Sequence, residues 1–258
     1  MAHCLQRQRE FLFTYPDQPL PAEVQQAYED LVARRRQGEP IAYLIGRRAF
    51  WDIELQVNQR VLIPRPETEL LVEAALELGA GDNRLRVADL GTGSGAIVLA
   101  IAHSRPDWEL QAVDVSAEAL AVAQANGEQL GLHNVTFTEG SWCQPLAAEA
   151  FDLMISNPPY VAIGDEHLQR GDLRYEPVLA LQSGQDGYAD LFTIIDESRR
   201  CLKKDAWLLL EHGLGQDQVL AGRLQSAGFV DIESRQDLAG IARITLGRWP
   251  GKQAAACN

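Results

Sequence analysis

The stretch Val87-Ala88-Asp89-Leu90-Gly91-Thr92-Gly93-Ser94-Gly95-Ala96 (VADLGTGSGA, 87–96) joins two kinds of pattern. Ahead of it, LRVADL (85–90) reads as a buried strand. Behind it, AIVLAIAHSR (96–105) reads as a helix. Glycine at 91, 93 and 95 lets the chain turn without Cβ clashes and lets backbone approach a ligand. The helix start adds oriented N–H groups. A plain strand-to-helix turn does not call for three glycines. The stretch therefore predicts a βα unit with a nucleotide- or nucleoside-type ligand at the carboxyl end of its strand.

The same alternation continues outward. LQAVDV (110–115) is followed by AEALAVAQANGEQLG (117–131), and VTFTEG (135–140) and FDLMIS (151–156) read as further strands. A helix around 191–202 leads to AWLLLEH (206–212), and one near 216–227 leads to FVDIES (229–234) and IARITLG (241–247). This order predicts an α/β fold with a doubly wound, mostly parallel sheet. The last two strands leave no room for a helix and should pair antiparallel. Upstream, 21–37 has helical spacing with Pro21 in the first turn and Gly38 at the stop. FWDIELQV (50–57) alternates as a strand, and Asn58-Gln59-Arg60 turns it into Val61-Leu62-Ile63, the second arm of a hairpin. Pro64 and Pro66 end that arm, and a helix spans 67–78. The expected division is a small helical domain over 1–48, a linking β-hairpin over 49–66, the α/β domain over 67–248, and a frayed tail over 249–258.

With 258 residues, a net charge of -13 and a pI near 4.8, the chain is a poor candidate for non-specific binding to a phosphate backbone. The dense cationic run, Arg34-Arg35-Arg36, falls at a helix end, where it suits the dipole. Cys4, Cys143, Cys201 and Cys257 make no metal or redox spacing, and the five histidines add none. Residues 1–15 lack an apolar leader core, and no apolar run approaches a membrane span. A reduced, cytoplasmic protein that contacts neither membrane nor nucleic acid is expected.

Gly91, Gly93 and Ala96 also satisfy the dinucleotide fingerprint. Asp89 argues otherwise: a carboxylate there opposes a pyrophosphate and suits a cationic or hydroxyl-bearing ligand, unless it only caps the strand end. Asp114, closing the second strand of the domain, is placed to accept both ribose hydroxyls.

The fourth strand of the domain ends in Asn157-Pro158-Pro159-Tyr160. In such a sheet that end lies beside the glycine loop. Proline has a carbonyl but no N–H, so the stretch is stiff and presents acceptors, with an amide from Asn157 and a flat ring from Tyr160. Such an edge suits a planar –NH2, as in a carboxamide or a base. It reorients the delocalised lone pair toward a methyl donor and favours the developing positive charge. A simple Asn-Pro turn after a strand is the alternative.

Six stretches carry a family resemblance: IAYLIGRRAFW (41–51), VLIPRPETELLVE (61–73), VADLGTGSGAI (87–97), AVDVS (112–116), FDLMISNPPYV (151–161) and RYEPVLAL (174–181). Together they resemble the PrmC/HemK family, the release factor glutamine methyltransferases, whose fold is the seven-stranded, Rossmann-like class I type. The resemblance implies S-adenosyl-L-methionine as cofactor. Gly91, Thr92, Gly93, Ser94 and Gly95 would hold its methionine end, Asp114 its ribose, and Trp142 would contact it near adenine. Asn157 would touch cofactor and substrate. Asn157, Pro158 and Tyr160 would be catalytic, and Asn157 through Tyr160, Pro159 included, would grip the glutamine of the Gly-Gly-Gln tip of peptide chain release factors 1 and 2, giving N5-methylglutamine. The resemblance assigns no metal. In the family a further helical stretch precedes the point where this chain starts, so the N-terminal domain is expected to be shortened, and Ser141 stands where an acidic residue is frequent. NPPY alone is shared with adenine-N6 methyltransferases of DNA and RNA, the alternative activity. A nucleotide-dependent oxidoreductase or a nucleoside-binding module is the reading from another class.

Overall fold

The computed structural model describes residues 1–82, 84–169 and 171–251, without the side chains of His167 and Gln169. Four helices come first: α1 (Ala2–Leu5), α2 (Arg9–Thr14), α3 (Ala22–Arg36) and α4 (Ile41–Ile45). None of the first three buries a residue; α4 buries Ala42 and Tyr43. Strands β1 (Arg47–Phe50) and β2 (Ile53–Gln56) pair antiparallel, Phe50 opposite Ile53. The expected hairpin therefore exists but sits earlier. Its turn is Trp51-Asp52, with Trp51 at φ 54, and residues 61–63 form no strand. The alternation in FWDIELQV holds for Ile53 and Leu55, which are buried. The FW pair, however, belongs to the arm that enters the turn. Val61 and Ile63 are buried irregular backbone, anchored by the Tyr43 hydroxyl donating to the Val61 carbonyl at 2.6 Å.

After a 3-10 turn (Pro66–Thr68) and α5 (Glu69–Leu78), the chain builds β3 (Arg86–Leu90), α6 (Ala96–Ser104), β4 (Glu109–Asp114), α7 (Ala117–Gln129), β5 (Val135–Glu139), β6 (Phe151–Ser156), α8 (Ala189–Cys201), β7 (Leu202–Glu211), α9 (Asp217–Ser226), β8 (Val230–Gln236) and β9 (Ala242–Trp249). The sheet order is β5-β4-β3-β6-β7-β9-β8, parallel except at β9, which runs antiparallel to both neighbours. This is the seven-stranded, doubly wound sheet expected. The α5 and α6 helices pack one face with the hairpin, and α8 and α9 the other. The uninterrupted apolar run Ala96 to Ala102 is wholly buried, which explains why α6 shows little amphipathic contrast. Of the tail expected to fray, Trp249 ends β9 and is 8% exposed. Residues 252–258, with Cys257, lie outside the described residues. Among the described residues no helix is long and apolar enough to cross a membrane.

Candidate active site

The chain leaves β3 toward β4 and β5 on one side, then returns to β6 and β7 on the other. Loops at such a switch point diverge and leave a crevice. Here Leu90 and Ser156 are register partners, the Ser156 hydroxyl donates to the Leu90 carbonyl at 2.6 Å, and Gly91 and Asn157 follow on adjacent strands. A cavity of about 330 Å³ opens between them, a size suited to a nucleoside-like ligand.

On one wall the glycine loop folds onto β4. Gly91 and Thr92 N–H both donate to the Val113 carbonyl, at 2.8 and 3.0 Å. Gly93 N–H donates to Asp114 Oδ2 at 2.9 Å, and Gly95 N–H to the Thr92 carbonyl at 2.8 Å. These amides are committed within the protein, so the loop is not the open row of donors that cradles a pyrophosphate. Gly95 has φ +84, and a Cβ there would meet Leu99 Cδ1 at 2.7 Å. A Cβ on Gly93, at φ +56, would meet nothing within 4 Å.

The Asp114 carboxylate accepts Gly93 N–H through Oδ2 and Ser116 N–H, at 2.9 Å, through Oδ1. Each oxygen keeps a further lone pair. Burial raises its pKa, and the hydrogen bonds from Ser116 and Gly93 oppose that rise. Asp89 is buried behind the loop, with Oδ2 accepting the Thr92 hydroxyl at 2.6 Å and Oδ1 without a partner among the described residues. Burial pushes it up to about 7. It braces the loop from within the protein and is not part of the cavity lining, which matches the bracing role rather than direct contact with a ligand.

Trp142 closes this wall. Its backbone sits at φ 44, a left-handed conformation that costs a bulky residue strain and persists only where neighbours enforce it. Those neighbours are present: Cys143 N–H donates to Glu197 at 3.2 Å, and Arg200 donates to the Cys143 and Leu146 carbonyls at 2.6 and 2.9 Å. The ring then lies over Gly91, 3.2 Å from where a Cβ would stand.

The opposite wall is assembled from distant segments. Asn157 Nδ2 donates to Thr68 Oγ1 at 3.1 Å, and the Asn157 carbonyl oxygen takes no hydrogen bond from the described residues. Pro159 joins it in the lining, with Thr68 and Arg65. One guanidinium nitrogen of Arg65 contacts both oxygens of Glu176, at 2.7 and 2.6 Å. That carboxylate side chain is fully buried, its pKa raised by burial and lowered by Arg65. The pair pins the loop after β6 to the Pro64–Pro66 segment. The same loop reaches the N-terminal helices: the Tyr175 hydroxyl donates to the Gln37 carbonyl at 2.8 Å, Arg174 donates to the same carbonyl, and Arg35 bridges Asp172 at 2.8 Å.

Of the residues singled out in the sequence, Gly91, Thr92, Gly93, Ser94, Asp114, Trp142, Asn157 and Pro159 line the cavity. Gly95, Pro158 and Tyr160 are outside the lining. Pro158 is buried, and the Tyr160 hydroxyl turns away to Glu211 at 3.3 Å. The sequence by itself does not single out Thr68, Arg65, Glu176 or Glu211. The first two lie in IPRPET (63–68) and Glu176 in RYEP (174–177), stretches that carry the resemblance but no chemistry legible on their own. Glu211 follows the apolar run AWLLL (206–210), and its role shows only in what it touches in the fold. No cluster of the described residues has metal-binding composition.

Two family signatures match the chain: the PrmC N-terminal domain over residues 1–46 and the Methyltransferase small domain over residues 66–171. A release factor glutamine methyltransferase of Xylella fastidiosa is 47% identical over 251 residues, covering 97% of this chain and 91% of that protein. One of Escherichia coli is 42% identical over 249 residues, covering 96% and 90%. Among solved structures, a methyltransferase from Pyrococcus furiosus superposes with a TM-score of 0.57 at 17% identity, covering 87% of this chain and 100% of the other, a likeness of fold.

Proposed function

The chain belongs to the release factor glutamine methyltransferase family, and from that premise we propose that it methylates the side-chain amide nitrogen of the glutamine in the Gly-Gly-Gln tip of peptide chain release factors 1 and 2. The observation that carries this reading is the Asn157 amide: one N–H of its NH2 is donated to Thr68 while its oxygen is left to accept, beside the glycine loop. S-Adenosyl-L-methionine supplies an electrophilic methyl group when bound. Its fit is supported by the 330 Å³ cavity, the open space at Gly93 and the free lone pairs of Asp114.

Gly91 to Ser94 hold the methionine end, Asp114 accepts the ribose hydroxyls, and Trp142 packs near the adenine. Asn157 and the Pro158 carbonyl accept the two amide protons of the glutamine. This twists the nitrogen lone pair out of conjugation and aims it in line with the methyl carbon. The nitrogen becomes positive as the bond forms, so these acceptors bind the transition state better than the ground state. No strong base is needed before transfer, because the proton leaves afterwards. Tyr160 stiffens this edge from behind, and the helices of residues 1–48 dock the release factor, in the cytoplasm where termination occurs.

Incubation with labelled S-adenosyl-L-methionine and a purified release factor tests the proposal. Label is expected on the factor and is expected to vanish when its tip glutamine is changed to alanine. Label that persists there sinks the assignment, and methylated adenine in an oligonucleotide would favour the nucleic-acid alternative.

A further inference from the structure

Trp142 stands in a turn that ordinarily asks for glycine. Gln144 N–H donates to the Ser141 carbonyl at 3.0 Å, so Trp142 is the first central residue of a four-residue turn. Its φ of 44 is a value that such turns obtain from glycine, asparagine or aspartate at that position. A large side chain makes the conformation costlier, because its Cβ crowds the backbone. The relaxed form of the turn has negative φ there, and rotation to it would carry the ring off Gly91. In the structure the ring lies against that glycine, 3.2 Å from where a Cβ would stand, and lines the cavity.

Two side chains of α8 hold the strained form. Glu197 Oε2 accepts Cys143 N–H at 3.2 Å, and that N–H belongs to the peptide group directly after Trp142. The bond therefore restrains rotation about the Trp142 ψ. Arg200 grips the chain just beyond: Nη2 donates to the Cys143 carbonyl at 2.6 Å and Nη1 to the Leu146 carbonyl at 2.9 Å. Hydrogen bonds from a guanidinium are stronger than neutral ones, which suits them to offset a strained dihedral. Upstream, Gly140 N–H donates to the Asp114 carbonyl at 3.0 Å, so the segment is tied at both ends. Glu197 and Arg200 lie one turn apart on α8, and neither lines the cavity.

We propose that Glu197 and Arg200 are positioning residues for the cofactor: from α8 they lock Trp142 in its left-handed turn over Gly91 and so set how tightly the adenine end is held. This rests on the cofactor reading of the cavity, and it assigns binding strength to two residues that touch no ligand. With the clamp cut, the competent turn becomes a minor form, and apparent affinity falls with its population. The chemistry is unaltered once the cofactor is bound.

The test is calorimetric titration of S-adenosyl-L-methionine into Arg200→Met, Glu197→Met, Glu197→Gln, Trp142→Ala and the Trp142→Ala/Arg200→Met double variant, beside wild type. Affinity is expected to fall about tenfold in each methionine variant, with kcat at saturating cofactor within about twofold of wild type. Glu197→Gln, which keeps an accepting oxygen, is expected to recover most of the affinity lost in Glu197→Met. In the Trp142→Ala background Arg200→Met should cost nothing more, since the ring it positions is gone. Affinity within about twofold of wild type in both methionine variants, an equal loss in kcat, or losses that multiply in the double variant overturn the clamp. Protein carrying 5-fluorotryptophan reads the clamp by 19F NMR without any ligand, the Trp142 resonance being assigned by its absence in Trp142→Ala. That resonance is expected to move in both methionine variants, and one unmoved in both also overturns the clamp. A wild-type chain that binds no S-adenosyl-L-methionine, while the resonance moves as expected, would count against the cofactor reading and not against the clamp.

Discussion

The two walls of the cleft are built differently. The glycine-loop part of the cofactor-side wall is local: Thr92 bonds Asp89, Ser116 bonds Asp114, and the longer ties, Gly91 and Thr92 to Val113 and Gly93 to Asp114, span a single βα unit; only Trp142 needs distant support, from Glu197 and Arg200. The substrate-side wall is not. Asn157 leans on Thr68, Tyr160 on Glu211, and Arg65 on Glu176, each pair brought together only by the finished fold. A local wall can be stiff by itself, whereas a composite wall is only as well placed as its farthest support.

Asn157→Ala should separate the walls most sharply. Turnover is expected to fall by about a thousandfold, in line with the loss of a principal transition-state contact. Circular dichroism and thermal unfolding should stay near wild type, and unchanged turnover would remove the acceptor edge from the chemistry.

A second test concerns the buried carboxyl beneath the substrate-side wall. Glu211 titrates near 7 in the folded chain against 4.5 as its ordinary value. The folded state thus holds a proton that the unfolded state releases between those values. Stability is therefore lost as pH rises from about 4.5 to about 7, by up to ~3 kcal/mol from this group. Glu211→Gln should remove that share, so denaturant titrations should show the variant gaining on wild type across the window. Asp89 acts in the same sense and His212, its pKa lowered by burial, in the opposite one. Neither changes in the comparison. A constant difference at all pH values would show that the carboxyl is not held neutral.

On the local wall, Asp114→Ala should cost about 2 kcal/mol, or roughly thirtyfold, in cofactor affinity by calorimetry, with kcat at saturation nearly kept. An equal loss in kcat would mean that the walls are not separable in function. The smallest effect belongs to Gly95→Ala. Its left-handed backbone and a Cβ 2.7 Å from Leu99 Cδ1 should lower stability by about 1–2 kcal/mol on thermal unfolding.

The difference between the walls is also the limit of what the sequence discloses. VADLGTGSGA, VDV and NPPY carry the sheet, the switch point and the glycine loop, because strand periodicity and turn chemistry are local properties. Asp114 follows from its place at a strand end and Trp142 from the resemblance alone, and both lie in the lining. The hairpin was misplaced because FWDIELQV alternates straight through its turn, and nothing in the pattern marks Trp51 at φ 54. Thr68, Glu176 and Glu211 were out of reach for another reason. Their importance is a matter of which distant residue they touch, and one sequence does not pair 68 with 157 or 65 with 176.

The Arg65–Glu176 pair has a consequence for the order of assembly. Each residue of the cofactor-side wall, from Gly91 to Trp142, leaves the ribosome before Asn157 does. The loop after β6 cannot be clamped until Glu176 meets Arg65, nor can the edge be braced until Glu211 has been made. Contacts of long sequence separation form late because their loops must close first. The glycine loop and Asp114 can thus close on each other early in synthesis, while Trp142 waits for Glu197 and Arg200 and the acceptor edge waits for Glu176 and Glu211.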